Sequence, residues 1–228
     1  MEYLPNGYLL DPSGGAFPLS TDSMLLADFA KLPKNARVLD LGAGCGTLGI
    51  LLCAKDPNCR VTGIELDETA HAAALENIAR NQLSHRMESI CADLRSVSLP
   101  QGSFDLCISN PPYFSGGPAS KLHTAARRED FCTPADLFSV VGKALKYGGD
   151  FFLVHKPERL AQLIACGAKE NLEAKRLRLV RHKEGSEISL ILLQFRKGGK
   201  PGLILEEVTL FDKHDHPTDF YKSVYHIE

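Results

Sequence analysis

The sequence predicts an α/β fold, a mostly parallel sheet with helices on both faces, and three observations carry that expectation. From Arg37 onward, short β-rich runs alternate with helical patterns, which is how such a sheet is written in sequence. The first run ends in a glycine-rich turn that opens a helix. The length of 228 residues suits one α/β domain with a sizeable core.

In chain order, Thr21-Asp22-Ser23 precedes the apolar series Met24, Leu25, Leu26 and Phe29, predicting a helix capped by Thr21 or Asp22. Strands are expected over 37–41, 60–65, 87–91, 104–109, 150–155, 176–181 and 188–195. Ala70, Ala73, Ala74, Asn77 and Ile78 recur at helical spacing, which predicts a helix over 68–81. Further helices are expected over 134–145 and 157–172. Residues 115–122, with Gly116-Gly117-Pro118 inside them, read as a mobile loop. The last 30 or so residues carry no clear pattern. The domain reading is a segment 1–36 packing by a cofactor site, a main unit over 37–200, and an extension of it over 201–228.

Hydrophobic residues at 44% and charged residues at 24% exclude wholesale disorder. The seven cysteines are scattered, mostly in apolar surroundings and without a Cys-x-x-Cys pair, so they read as reduced packing residues. The start of the chain lacks the pattern of a signal peptide, and no apolar run approaches the roughly 18 residues of a membrane span. A cytoplasmic location follows as the expectation. The net charge of −2 conceals an asymmetry: residues 1–120 carry −5, 121–200 carry +7 and 201–228 carry −4. The basic stretch Lys175, Arg176, Arg178, Arg181, His182 and Lys183 reads either as a phosphate-facing surface or as a solvated face.

The strongest local pattern is Asp40-Leu41-Gly42-Ala43-Gly44-Cys45-Gly46. Glycines at 42, 44 and 46 let a ligand approach backbone, and the helix beyond offers amide donors. Glu65 ends the next strand, where a doubly wound fold holds a ribose by its hydroxyls. Gly44-x-Gly46-x-x-Gly49 also matches a dinucleotide fingerprint, but Asp40 would face a pyrophosphate unfavourably. A cationic cofactor suits it better: S-adenosylmethionine (SAM) carries an ammonium, a sulfonium and a free ribose. Asp93, after the third strand, stands either where an adenine amino group would lie or as an exposed turn residue. Leu66 and Leu94, beside Glu65 and Asp93, join the cofactor set, which Asn110 at the end of the fourth strand completes.

The fourth strand runs into Asn110-Pro111-Pro112-Tyr113-Phe114 at the carboxyl edge of the sheet. The prolines fix the backbone, so the Asn110 side-chain oxygen and the Pro111 carbonyl are held as two acceptors. Gripping both N–H groups of an aromatic amine would favour a pyramidal nitrogen and stabilise the positive charge that develops on attack. Tyr113 presents a stacking face. His155 reads as a core histidine, and His214-x-His216 as part of a solvated tail, so no metal is expected.

These motifs, in this order and spacing, resemble the class I SAM-dependent methyltransferases over about residues 17 to 195. The resemblance implies a Rossmann-like, seven-stranded sheet whose last hairpin supplies an antiparallel strand. More narrowly, the chain is similar to the bacterial family that methylates N6 of the adenosine beside the anticodon of a valine tRNA. Phe17 with Thr21-Asp22 and Leu25-Leu26, the run Asn110 to Phe114, Ala126-Arg127-x-Glu129, and Pro157-Glu158-Arg159-Leu160 carry that likeness. It implies Thr21 at the cofactor's carboxylate end, and Phe114, Arg127 and Glu129 with Tyr113 around the target; RNA, as tRNA, is the implied partner. Departures from the family pattern occur at Ser20-Thr21 and in the tail Asp215-His216-Pro217-Thr218-Asp219. Methylation of a protein glutamine amide, methylation of guanine N2 in ribosomal RNA, and non-catalytic RNA binding stay open as alternatives.

Overall fold

The computed structural model describes residues 2–4, 7–11, 19–111 and 132–227. Strands β1 (Glu2–Tyr3) and β2 (Leu9–Leu10) form a small antiparallel pair, followed by α1 (Thr21–Phe29). The alternating body comprises β3 (Arg37–Leu41), α2 (Thr47–Lys55), β4 (Arg60–Glu65), α3 (Glu68–Arg80), β5 (Met87–Cys91) and β6 (Phe104–Ser109). After it come α4 (Pro134–Ala144), β7 (Leu145–His155), a 3₁₀ turn (Pro157–Arg159), α5 (Leu160–Lys169), β8 (Leu172–Lys183), β9 (Ile188–Lys197), β10 (Ile204–Phe211) and α6 (Asp219–Tyr225).

Among the described residues the main sheet has eight strands in the order β10-β8-β9-β7-β6-β3-β4-β5, not the seven expected. Of these eight described strands, β9 alone runs antiparallel to its neighbours. The added strand is β10, which pairs parallel with β8 along the edge. Two apolar clusters cover the sheet. One joins Leu25, Leu26 and Phe29 of α1 to Ile50 and Leu52 of α2 and Phe152 of β7. The other centres on Phe138, Phe151 and Phe195, whose rings meet edge-on or stacked. No helix among the described residues is long and apolar enough to cross a membrane.

Three further expectations are corrected. The cap of α1 is Ser20, whose hydroxyl accepts from the Ser23 amide, so Thr21 and Asp22 lie in the first turn. The helix expected over 157–172 starts as a 3₁₀ turn and stops at Lys169, because Leu172 already pairs with Lys197 in the sheet. The basic stretch is not a bare phosphate-facing surface. Arg176 and Arg178 share Glu206 of β10, Arg178 also meets Asp28, Arg181 meets Glu207, and Lys183 lies 2.7 Å from Asp215. The acidic tail therefore neutralises the preceding basic segment, which is why the charge asymmetry of the sequence is muted at that edge.

Arg176 is the hub of this arrangement: it is buried, donates to the Phe29 carbonyl as well as to Glu206, and lies over the Phe29 ring at 4.3 Å. Arg176→Ala leaves that carbonyl without its donor and removes a packed side chain, and is expected to cost about 2–4 kcal/mol. Urea unfolding checks this; a loss below about 0.5 kcal/mol, typical of a solvated surface charge, would contradict the assignment.

Candidate active site

The strand order reverses direction between β3 and β6, with β4 and β5 on one side and β7 on the other. The carboxyl ends of β3 and β6 thus flank the crevice at which doubly wound sheets take ligands. Asp40 pairs in register with Ile108, so Asp40 and Asn110 belong to adjoining strand ends. The buried Ser109 hydroxyl donates to the Leu41 carbonyl at 2.7 Å and ties the two ends together. The sequence reading missed Ser109; its signal was only a hydroxyl at the end of an apolar strand.

The glycine turn leaves β3 with the Gly42 and Ala43 amides donating to the Ile64 carbonyl. Gly42 and Gly44 have φ of +72° and +55°, and a Cβ built on either meets no atom of the described residues within 4 Å. The turn therefore requires glycine conformationally and, among the described residues, leaves space that a ligand can enter. Gly46, at φ +88°, caps α2, and its backbone approaches Met87 and Ala74. Gly49 is needed for packing: a Cβ there would stand 2.5 Å from Met87 Cε.

Asp40 is fully buried, and neither of its carboxylate oxygens has a hydrogen-bond partner among the described residues. Burial pushes its carboxyl up to about 7; the neighbouring Gly49 amide lowers it and the Glu65 charge raises it further. A buried carboxyl that meets no donor at full hydrogen-bond geometry, the nearby Gly49 amide included, is costly, and a cation beside it would offset that cost. Glu65 accepts from the Gly44 amide at 2.7 Å and from the Leu66 and Asp67 amides at 2.8 and 2.9 Å. Its carboxylate thus bridges the glycine turn and the start of α3, where diol hydroxyls can exchange with the amides.

Asp93 follows β5 and is engaged by Arg95 through contacts of 2.5 to 3.1 Å, which hold its carboxyl below the usual range. Leu66 is exposed, while Leu94 packs against the second apolar cluster. Thr21, in the first turn of α1, accepts from the Tyr225 hydroxyl of α6 at 3.2 Å, so the C-terminal helix is tied to the start of α1. Burial raises the carboxyl of Asp22, against the opposing effect of Lys156 at the end of β7. His155 is buried, with its Nδ1 accepting from the Lys156 amide, as expected of a core histidine.

Asn110 follows the end of β6 and donates from Nδ2 to Ser23 Oγ at 3.1 Å, while Pro111 is buried beside it. Ser23 is a second residue the sequence reading did not single out, since its contact spans 87 positions. Pro112, Tyr113, Phe114, Arg127 and Glu129, with Phe17, Ala126 and the loop 115–122, lie outside the described residues. The described residues around the crevice therefore include a buried carboxylate, a glycine turn, a carboxylate held by three backbone amides and an anchored asparagine amide. That set fits SAM, whose ammonium and ribose find matching groups.

Residues 19–165 match the methyltransferase small domain family. A tRNA1(Val) (adenine(37)-N6)-methyltransferase of Shewanella sp. (strain MR-4) is 34% identical over 162 residues, 69% of this chain and 68% of the relative. The enzyme of the same name from Bacteroides fragilis is 30% identical over 215 residues, 91% and 89% of the two chains. Among solved structures, a predicted O-methyltransferase from Agrobacterium tumefaciens superposes with a TM-score of 0.75 at 22% identity, covering 90% of this chain and 96% of its own. That likeness supports the Rossmann-like methyltransferase fold. On these matches the chain is a methyltransferase that belongs to the methyltransferase small domain family and, within it, to the family of the tRNA1(Val) (adenine(37)-N6)-methyltransferases.

Proposed function

We propose that this chain methylates N6 of an adenine in RNA with SAM as donor, and that its target is the adenosine beside the anticodon of a valine tRNA. The observation that carries the reading is Asn110, anchored at the end of β6 next to the glycine turn of β3 and opening an Asn-Pro-Pro-Tyr sequence. The names of the relatives support the substrate. We assign residues 1–36 as a segment packing by the cofactor site and 201–228 as an extension of the same domain.

When bound, SAM supplies a methyl group already activated by its sulfonium. Asp40 offers its negative charge to the ammonium end, Thr21 serves the carboxylate end, and Glu65 takes the ribose hydroxyls. Gly42, Gly44 and Gly46 give backbone access, and Leu66 and Leu94 flank the adenine ring. Asp93 is assigned to the adenine amino group, which requires one of its oxygens to leave Arg95. Asn110 Oδ1 and the Pro111 carbonyl accept from the two N6 hydrogens of the target, localising the nitrogen lone pair and stabilising the charge that grows on it. Pro112 stiffens the turn, and Tyr113, with Phe114, Arg127 and Glu129 at the rim, holds the base. The step requires the target adenine out of the stack, as for any enzyme acting on a base.

The test uses two transcripts of a valine tRNA, one with the natural adenosine beside the anticodon and one with guanosine there, incubated with labelled SAM. Label in the first transcript alone is the expected result. Equal label in both would overturn the assigned nucleotide.

A further inference from the structure

We propose that Ser23 is a positioning residue that sets which way the Asn110 amide faces, an inference that rests on the role proposed above for Asn110. The two ends of an asparagine amide differ chemically but occupy nearly the same shape, so orientation depends on the hydrogen bonds around it. At an acceptor site for an amine, only Oδ1 serves; Nδ2 presented to the target would oppose its N–H groups.

The start of α1 supplies the contact that distinguishes the two ends of the amide. Ser20, the helix cap, accepts from the Ser23 amide at 3.2 Å, so its own hydroxyl hydrogen remains to be donated, and it is directed at Ser23 Oγ 3.1 Å away. Ser23 Oγ keeps a second lone pair beside the one that Ser20 occupies, and with it accepts Asn110 Nδ2–H at 3.1 Å. This turns Oδ1 to the side of the amide away from α1. Ser23 is 7% exposed, so water does not readily replace it.

The helix carrying Ser23 is itself held at both ends. Tyr225 donates to Thr21 at its start, and Phe29 packs edge-on against Phe152 at its far end, with ring centroids 5.9 Å apart. The serine pair is thus a fixed reference for the amide rather than a mobile contact. A capping serine three residues before a buried serine also explains why a hydroxyl stands in the apolar face of α1, beside Met24, Leu25 and Leu26.

The experiment measures single-turnover methyl transfer to tRNA, SAM affinity by calorimetry and thermal midpoint for the wild type, Ser23→Ala, Ser23→Thr and Asn110→Ala. Ser23→Ala is expected to slow transfer roughly three- to tenfold, the range of one neutral hydrogen bond. SAM affinity should stay within about twofold, with Ser23→Thr closer to the wild-type rate because the hydroxyl is kept. A purely structural role would instead lower SAM affinity and the thermal midpoint together with the rate. Wild-type transfer in Ser23→Ala while Asn110→Ala is inactive would overturn the positioning role and leave the reading of Asn110 standing. Equal slowing in the Ala and Thr variants would likewise overturn it. Wild-type transfer in Asn110→Ala would remove the role of Asn110 and the inference with it.

Discussion

Asn110→Ala is expected to slow methyl transfer by about 10²- to 10³-fold while leaving SAM affinity within a few-fold, because one acceptor aimed at developing charge typically contributes that much. The split follows from the geometry. Asn110 sits at the end of β6 and bonds to Ser23, whereas the glycine turn and Glu65 belong to β3 and β4 and hold each other through the Gly44 amide. Removing the amide side chain breaks no contact of the turn. An exocyclic aromatic amine is a poor nucleophile, so the loss falls on the chemical step and not on binding. Single-turnover transfer with calorimetric SAM titration checks this. Parallel losses in rate and SAM affinity would show that Asn110 serves the cofactor instead.

Asp40→Asn is expected to weaken SAM binding by about 10- to 100-fold and, in the same variant, to stabilise the free protein. Folding raises the Asp40 carboxyl from 3.8 to about 7. A carboxyl raised by folding disfavours the folded state once it ionises. The penalty is absent below the unfolded value of 3.8, grows as pH rises toward about 7 and is fully present above it. The asparagine carries no such penalty, so its thermal midpoint should exceed the wild type at pH 8 and the difference should shrink toward pH 4. Because the ionised form suits an ammonium, wild-type SAM affinity should fall as pH drops below about 7, and binding there should release protons. Calorimetry in buffers of different ionisation enthalpy measures that release. Equal pH dependence in both forms would assign the effect to another group.

The sequence located the catalytic half of the sheet well because its strands end on unmistakable signals. β3 stops at a glycine turn, β4 at an acidic residue before a helix cap, and β6 at Asn-Pro-Pro, so their bounds match residue for residue. The far half was less legible. β8 reads as a charged stretch, since the residues that pair its arginines, Glu206 and Glu207, lie about 30 positions on in a strand with little apolar alternation. β7 begins before Gly148-Gly149, where local chemistry favours a turn but pairing of Leu145 with Phe104 carries the strand through a register shift. In the candidate site, residue types showed the glycines and the carboxylates. They did not show that the Glu65 carboxylate is shared with the Gly44 amide, that Arg95 occupies Asp93, or that Ser23 anchors Asn110, because each is a distance and not a pattern.

The measurement closest to the central claim is transfer of labelled methyl from SAM into bulk tRNA, ribosomal RNA and release factors, followed by digestion and identification of the labelled product. N6-methyladenosine from tRNA is the predicted result. Label confined to N2-methylguanosine or to glutamine would keep the fold and the cofactor and contradict the substrate.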